Sequence, residues 1–144
     1  MQTFLPYPDF VESAKALDYR RLGSQINECE QLLDALHETN NGGYRTHVVT
    51  RMWKFYEFQL ATFGLVCEAE WESRGYAERV NKRRLEQHLV WADDGSHEFP
   101  FWFGEPEVHE RYKRLLIWKK PAFYQPKWPE LTPLSKDDFT YPIV

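Results

Sequence analysis

The chain has 144 residues, 42% hydrophobic and 28% charged, with two cysteines, which excludes a disordered chain and a disulfide scaffold and points to one globular domain with a real core. Six Trp, eight Tyr and ten Phe against seven Gly mean that large flat side chains build that core. Eighteen Lys and Arg against 22 Asp and Glu leave a net charge of −4, so no global basic field is available for nucleic acid and any DNA binding has to come from a local patch.

Nothing in the chain approaches the roughly 20 apolar residues of a membrane span, and residues 1–10 carry neither a basic start nor a long apolar run. The expected protein is soluble and cytoplasmic, with no membrane partner. Pro6 and Pro8 keep the first segment extended, and Asp9 is placed to cap a short helix running to about Asp18. Leu22, Ile26, Cys29 and Leu33 recur at helical spacing and predict a helix over 21–37, stopped by Asn40, Asn41, Gly42 and Gly43. From Thr46 to Arg74 runs the longest helical pattern, with Met52, Tyr56, Leu60, Phe63, Cys67 and Trp71 on one face and Phe55, Phe58 and Leu65 widening it. A helix apolar on several sides is central, and Gly75 is placed as its C-terminal cap. Residues 77–91 predict a further helix with Val80, Leu85 and Leu89 inside and Lys82, Arg83 and Arg84 on a solvated face. After the aromatic run 99–103 comes a helix over 105–118. The tail, with five of the nine prolines, is expected to wrap the helices without regular structure. The fold class is therefore mostly α, a compact single-domain helical fold spanning 1–144 with an irregular proline- and aromatic-rich C-terminal wrap.

Cys29 and Cys67 sit in helical apolar patterns with no CxxC and no Cys/His cluster, so both read as reduced packing residues and no metal site is expected. Charge is segregated: residues 41–90 carry eight bases and six acids, whereas residues 1–40 carry three and seven. Arg20, Arg21, Arg45, His47, Arg51 and Lys54 make a candidate cationic strip for phosphates; the alternative is that Arg20 and Arg21 pair with Asp18, and that His47 is a core or capping residue. His109, Lys113 and Lys119 are further candidates in the C-terminal helix. Trp102, Phe103, Trp118, Phe123, Tyr124 and Trp128 either pack in the core or include a base-stacking surface.

The order of several short motifs resembles the pyrimidine-dimer DNA glycosylases of the endonuclease V type, particularly the branch found in phages of actinobacteria. The resemblance is carried by Met1-Gln2-Thr3-Phe4-Leu5-Pro6, by Leu17-Asp18 with Arg21-Leu22-Gly23, Gln25 and Glu28, and by Gly43-Tyr44 with His47. It continues through Met52-Trp53 with Tyr56-Glu57, Arg74-Gly75-Tyr76, Trp102-Phe103-Gly104 with His109, and Lys119 with Pro121 and Tyr124. It implies a mostly helical monomer that binds double-stranded DNA, cuts the glycosidic bond of a damaged or modified pyrimidine and nicks the abasic site, with no metal or organic cofactor. It implies an N-terminal α-amine as nucleophile on C1′, forming an imine, and a glutamate on an early helix that supports the sugar's charge. An α-amine, with an ordinary pKa near 8, is partly neutral and nucleophilic at physiological pH, and a carboxylate beside C1′ stabilises an oxocarbenium-like centre. Carried onto this chain, the glutamate is Glu28 and the amine is that of Met1, or of Gln2 if Met1 is removed. Gln25, on the same flank as Glu28, joins the candidate DNA contacts.

The chain departs from that pattern. Val48 stands where relatives place Pro, Ile26 where an Arg follows Gln25, and Arg111-Tyr112-Lys113-Arg114 where a Ser-His-Arg-Ser-Asn run is frequent. Gln at position 2 normally blocks removal of the initiator Met. A catalytically inactive family member that binds DNA or a protein in a phage is therefore the alternative, with a virion or host-interaction protein as a third reading. Both reactive groups must reach one sugar, so a separation above roughly 10 Å rules the chemistry out.

Overall fold

The computed structural model describes residues 1–37 and 46–143, so the expected stop at 40–43 lies outside the described residues. Among the described residues there are seven helices and no strand, the mostly helical class expected. α1 (Phe10–Ala16) starts where Asp9 accepts the Glu12 N–H at 2.8 Å, a capping bond that satisfies one of the helix's orphan donors. α2 (Tyr19–His37) buries the face carrying Leu22, Ile26, Cys29 and Leu33. α4 (Glu57–Ser73) is central and packs against α1, α2 and α5 (Asn81–Ala92). Gly64 makes that crossing possible: a Cβ there would lie 2.9 Å from Leu85 Cδ2 and 3.1 Å from Cys29 Cβ. Both cysteines are buried and reduced, and burial pushes their thiols well above the ordinary range.

The continuous helix expected over 46–74 is two helices. α3 (Val48–Trp53) ends in a turn in which the Lys54 N–H reaches Arg51 O and the Tyr56 N–H reaches Trp53 O at 2.8 Å. Phe55, within this turn, has φ 77° and is 81% exposed, so it does not widen the apolar face of a helix. The turn re-aims the chain: Trp53 is buried against Thr3 and Trp102, while α4 sets off along α2. No Gly or Pro marks the break. The helix expected over 77–91 begins only at Asn81, and Val80 is 95% exposed rather than inside. Residues 77–80 are spent on a loop whose backbone serves other groups: Trp71 Nε1 donates to Ala77 O, and the Arg79 N–H donates to Glu68. Gly75, with φ 94°, ends α4 as expected. Next to it, Arg74 Nη2 donates to the carbonyls of Ala14, Lys15 and Leu17, placing a cation where the dipole of α1 is negative.

α6 (Pro106–Lys119) leads into a tail that is not wholly irregular, because Pro121–Tyr124 form a short α7. Pro at the first position of each helix costs nothing there, since its missing N–H is an orphan anyway. The tail wraps the first residues of the chain. Trp128 Nε1 donates to Tyr7 Oη at 3.0 Å, Gln2 Nε2 donates to Tyr141 Oη, and the Tyr124 hydroxyl is shared with Asp18. Trp102, Tyr124 and Trp128 are core; Phe103 is half-buried, and Trp118 and Phe123 are exposed. Lys82 pairs with Glu72 and Glu78, and Arg84 with Asp34, so this part of the basic run is a paired helix face. No helix is long and apolar enough to cross a membrane among the described residues.

The α2–α5 seam carries a polar relay. His88 is buried, with Nε2 2.7 Å from Asp34 Oδ1 and Nδ1 2.6 Å from His37 Nδ1. A neutral arrangement satisfies both bonds: His88 donates to Asp34 and accepts from His37. Burial holds both histidines below the usual imidazole value, against the pull of Asp34. Groups whose folded pKa is depressed lose their stabilising contribution as pH falls from the unfolded value toward the folded one. The urea midpoint should therefore drop once pH falls below about 6.5, and His88→Gln should flatten that dependence. Separately, Gly64→Ala should cost about 1–3 kcal/mol, read as a lower thermal midpoint, with the larger effect if Leu85 cannot move.

Candidate active site

The site is built on one face of α2. Arg21, Ser24, Gln25 and Glu28 are three and four residues apart and so point the same way from the helix. The extended segment 1–6 lies along this face. Gln25, fully buried, accepts the Phe4 N–H at 2.6 Å and donates from Nε2 to Gln2 O at 3.0 Å. One side-chain amide thus replaces the strand partner that the segment lacks. Thr3, also buried, accepts from Trp53 Nε1 at 3.0 Å, and Leu5 O accepts from His109 Nδ1 at 2.7 Å. Phe4 and Leu5 are in the core. The first residues of the chain are held by three elements at successive positions.

That anchoring leaves the chain start beside Glu28. The Gln2 N–H is 3.4 Å from Glu28 Oε2, and one peptide unit reaches no more than about 3.6 Å, so the Met1 amine lies within roughly 7 Å of the carboxylate. The separation satisfies the distance condition set by the chemistry. Met1, Gln2, Phe4, Arg20, Arg21, Ser24, Glu28 and Lys119 line an open cleft of about 380 Å³. Two arginines, Lys119 and the amine face a single carboxylate there, so the cleft is locally cationic on a chain of net −4. Burial pushes the Glu28 carboxyl up from the ordinary range, with the amine's charge, the Gln2 N–H and Lys119 pulling it back down. Burial and the nearby Arg21 hold Lys119 below the usual lysine value, with Glu28 opposing.

The other sequence candidates are placed as follows. Arg20 is exposed, with its guanidinium 6.0 Å from the centre of the Tyr19 ring. Arg21 bonds Asp18 at 3.2 Å while still lining the cleft. His47 caps α3, its Nδ1 accepting the Val49 N–H at 3.2 Å, which is the capping alternative. Burial lowers its pKa, with the N-terminal amine and Arg51 adding to the effect. Arg51, on α3, and Lys54, in the turn after it, are exposed, and Arg45 lies outside the described residues. Gln25 and His109 are both interior, with their polar atoms bonded to the protein's own backbone. His109 donates from Nδ1 to Leu5 O and accepts the Gly104 N–H on Nε2 at 2.9 Å, which fixes the neutral Nδ1–H tautomer; burial and Lys113 hold its pKa down against the pull of Leu5 O. Lys113 is also apart from the cleft, with Nζ 4.7 Å from the centre of the Tyr7 ring and 5.8 Å from that of Trp128.

Sequence reasoning missed Ser24, although it stands one helical turn before Glu28, and a second cleft beside the first. Tyr19, Arg20, Gly23, Ser24, Asn27, Trp71 and Arg79 line about 330 Å³, with Arg20 and Ser24 common to both clefts. Arg79 is stacked on Trp71 with its guanidinium 4.8 Å from the ring centre, and is held by Asn27 at 3.0 Å and Asn81 at 3.3 Å. Gly23 permits this approach, since a Cβ would lie 3.2 Å from both Arg79 Nη1 and Trp71 Cζ3. No group of three or more His, Cys, Asp or Glu side chains suited to a metal ion occurs among the described residues.

Residues 1–84 match the family model for pyrimidine dimer DNA glycosylase. The chain belongs to the pyrimidine dimer DNA glycosylase family. No curated protein and no solved structure matches it.

Removing the amide clamp tests the anchoring. Gln25→Leu should cost about 1–3 kcal/mol, because the Phe4 N–H and Gln2 carbonyl lose their partners in the interior. Hydrogen exchange at Phe4 should accelerate more than at the core of α4.

Proposed function

We propose that this protein is a DNA glycosylase with abasic-site lyase activity, which excises a damaged or modified pyrimidine from duplex DNA. We place it with the actinobacteriophage branch of its family, working as a monomer in the cytoplasm of the host. The observation that supports the activity is the convergence of the chain-start amine and the Glu28 carboxylate on one cationic cleft. The amine nitrogen of Met1 bonds C1′ while the C1′–N bond to the pyrimidine breaks, the electron pair leaving with the base. Loss of protons from the amine and opening of the sugar give the imine. Glu28 stabilises the positive charge that develops at C1′ and accepts the C2′ proton, and expulsion of the 3′ phosphate then nicks the strand. Arg20, Arg21 and Lys119 hold the phosphates on either side. Trp71 and Arg79, in the adjoining cleft, offer a flat surface to a neighbouring base.

Gln2 explains how a chain that keeps its Met can work in this scheme. Its carbonyl, N–H and side-chain amide are bonded to Gln25, Glu28 and Tyr141 respectively, so Met1 is presented from a fixed second residue. Borohydride should trap a covalent adduct between the protein and ultraviolet-irradiated duplex DNA, and mass spectrometry should locate it on Met1. One extra residue ahead of Met1 should abolish trapping. Glu28→Gln should lower cleavage by at least about 100-fold while leaving binding within a few-fold. Absence of an adduct with every pyrimidine lesion tried would sink the lyase step, and wild type that binds damaged DNA without cutting it would make the protein a binding module.

The pH profile gives a second test. The nucleophilic amine must be neutral and Glu28 a carboxylate, so kcat/KM falls first as the amine takes up a proton and more steeply once pH drops through the raised pKa of Glu28; that second break should lie above the ordinary glutamate range. Lys119 pulls that pKa down, so Lys119→Met should move this second break further up in pH.

A further inference from the structure

Phe55 belongs neither to the core nor to the cleft. It is 81% exposed and is the one non-glycine residue among the described residues with positive φ. A bulky side chain in this backbone region is strained, and such strain persists where the surrounding structure enforces it. Here the enforcement is visible. Trp53 on one side is buried, the Tyr56 N–H closes the turn on Trp53 O at 2.8 Å, and the Phe55 N–H is held by Glu57 Oε1 at 3.2 Å. The backbone that carries the exposed ring is thus held in place, at a position where glycine would be free of strain.

Its surroundings choose the partner. Lys54 Nζ is 5.3 Å from the centre of the Phe55 ring, and exposed Arg51 is on the preceding turn; Glu57, the nearby acid, is engaged with the Phe55 backbone. An apolar tip flanked by cations suits a base stack between phosphates. The mount is also tied to the segment that lines the cleft, because Trp53 of α3 bonds Thr3 at 3.0 Å, between the cleft residues Gln2 and Phe4.

We propose that Phe55 is a wedge that enters the duplex beside the lesion, filling the space left by the displaced nucleotide and holding the stack open. This rests on the proposed DNA-glycosylase function. Apolar side chains that unstack a base step and kink the duplex in this way are a general device. No covalent step is involved: Phe55 supplies shape, and the cost of unstacking is met by contacts to the bent DNA.

The test uses the full chain and duplex oligonucleotides with 2-aminopurine beside a thymine dimer or an abasic site, in which unstacking raises fluorescence without any turnover. Wild type should raise the signal several-fold at saturation; Phe55→Ala should not, and Phe55→Leu should restore part of it. Phe55→Ala should also lower cleavage of the paired lesion by at least tenfold, but by less than threefold when the lesion sits in a mismatched bulge already unstacked. Phe55→Gly should keep or raise the thermal midpoint while losing the fluorescence change. Equal signals from wild type and Phe55→Ala, or a Phe55→Gly variant several degrees less stable, would overturn the wedge. Turnover without dependence on Phe55 refutes the wedge and leaves the glycosylase standing. A Phe55-dependent signal without turnover of any lesion refutes the glycosylase and leaves the wedge.

Discussion

The buried amide of Gln25 is the interaction on which the site depends. An extended segment pressed against a helix has backbone donors and acceptors that the helix cannot satisfy, since its own are used internally. Gln25 supplies one acceptor and one donor at the spacing of Phe4 N and Gln2 O. With these paired, Phe4 and Leu5 can enter the core, and the chain start is carried to Glu28 rather than into solvent. The C-terminal wrap closes over the same segment through Trp128 on Tyr7 and Tyr141 on Gln2, and α6 through His109 on Leu5. The two ends of the chain are therefore one structural unit, and the early helix alone would not define the cleft.

The electrostatics follow from this arrangement. The amine's charge, the Gln2 N–H and Lys119 all favour the Glu28 carboxylate. Burial opposes this at Glu28 and wins, so its carboxyl is raised despite two cations nearby. The result is a carboxylate closer to giving and taking protons than one in water. Asp18 shows the contrary outcome. It too is buried, yet the Tyr124 hydroxyl, Arg21 and Lys120 outweigh burial and lower its pKa, so it stays a structural anion.

Much of the fold was legible because its signals are local. Asp9 caps α1, Gly75 ends α4, and the 3.6-residue repeat of Leu22, Ile26, Cys29 and Leu33 faces inward. The break at 54–56 was not legible, because the apolar pattern of α3 and α4 runs on in register without Gly or Pro. What ends α3 is a distant demand, the burial of Trp53 against Thr3 and Trp102. The same reason hid the cleft of Trp71 and Arg79, whose pieces come from three separate segments. At the candidate site the helical spacing of Arg21, Gln25 and Glu28 predicted a shared face, but not that Gln25 would be spent on the backbone. An amide and a carboxylate at adjacent helical turns look alike in sequence; only the position of the N-terminal segment assigns one to the interior and the other to the cleft.

For a duplex substrate, the small number of cations near the cleft sets a constraint on how recognition can work. Arg20, Arg21, Lys119, Arg51 and Lys54 are few, Arg21 is partly committed to Asp18, and the net charge of −4 repels the rest of the phosphate backbone. Each phosphate neutralised contributes a salt-dependent increment, so a protein with few such contacts gains little nonspecific affinity. The proposed enzyme then cannot rely on long residence on undamaged DNA to find its lesion. It must discriminate through deformation: a damaged step, already weakly stacked, costs less to open than an intact one. A rigid aromatic mount suits that mode of selection, because a flexible one would pay side-chain entropy at each trial insertion. The strained turn at Phe55 and the thin positive strip are, on this view, two sides of one design, with local shape providing the discrimination that global charge does not.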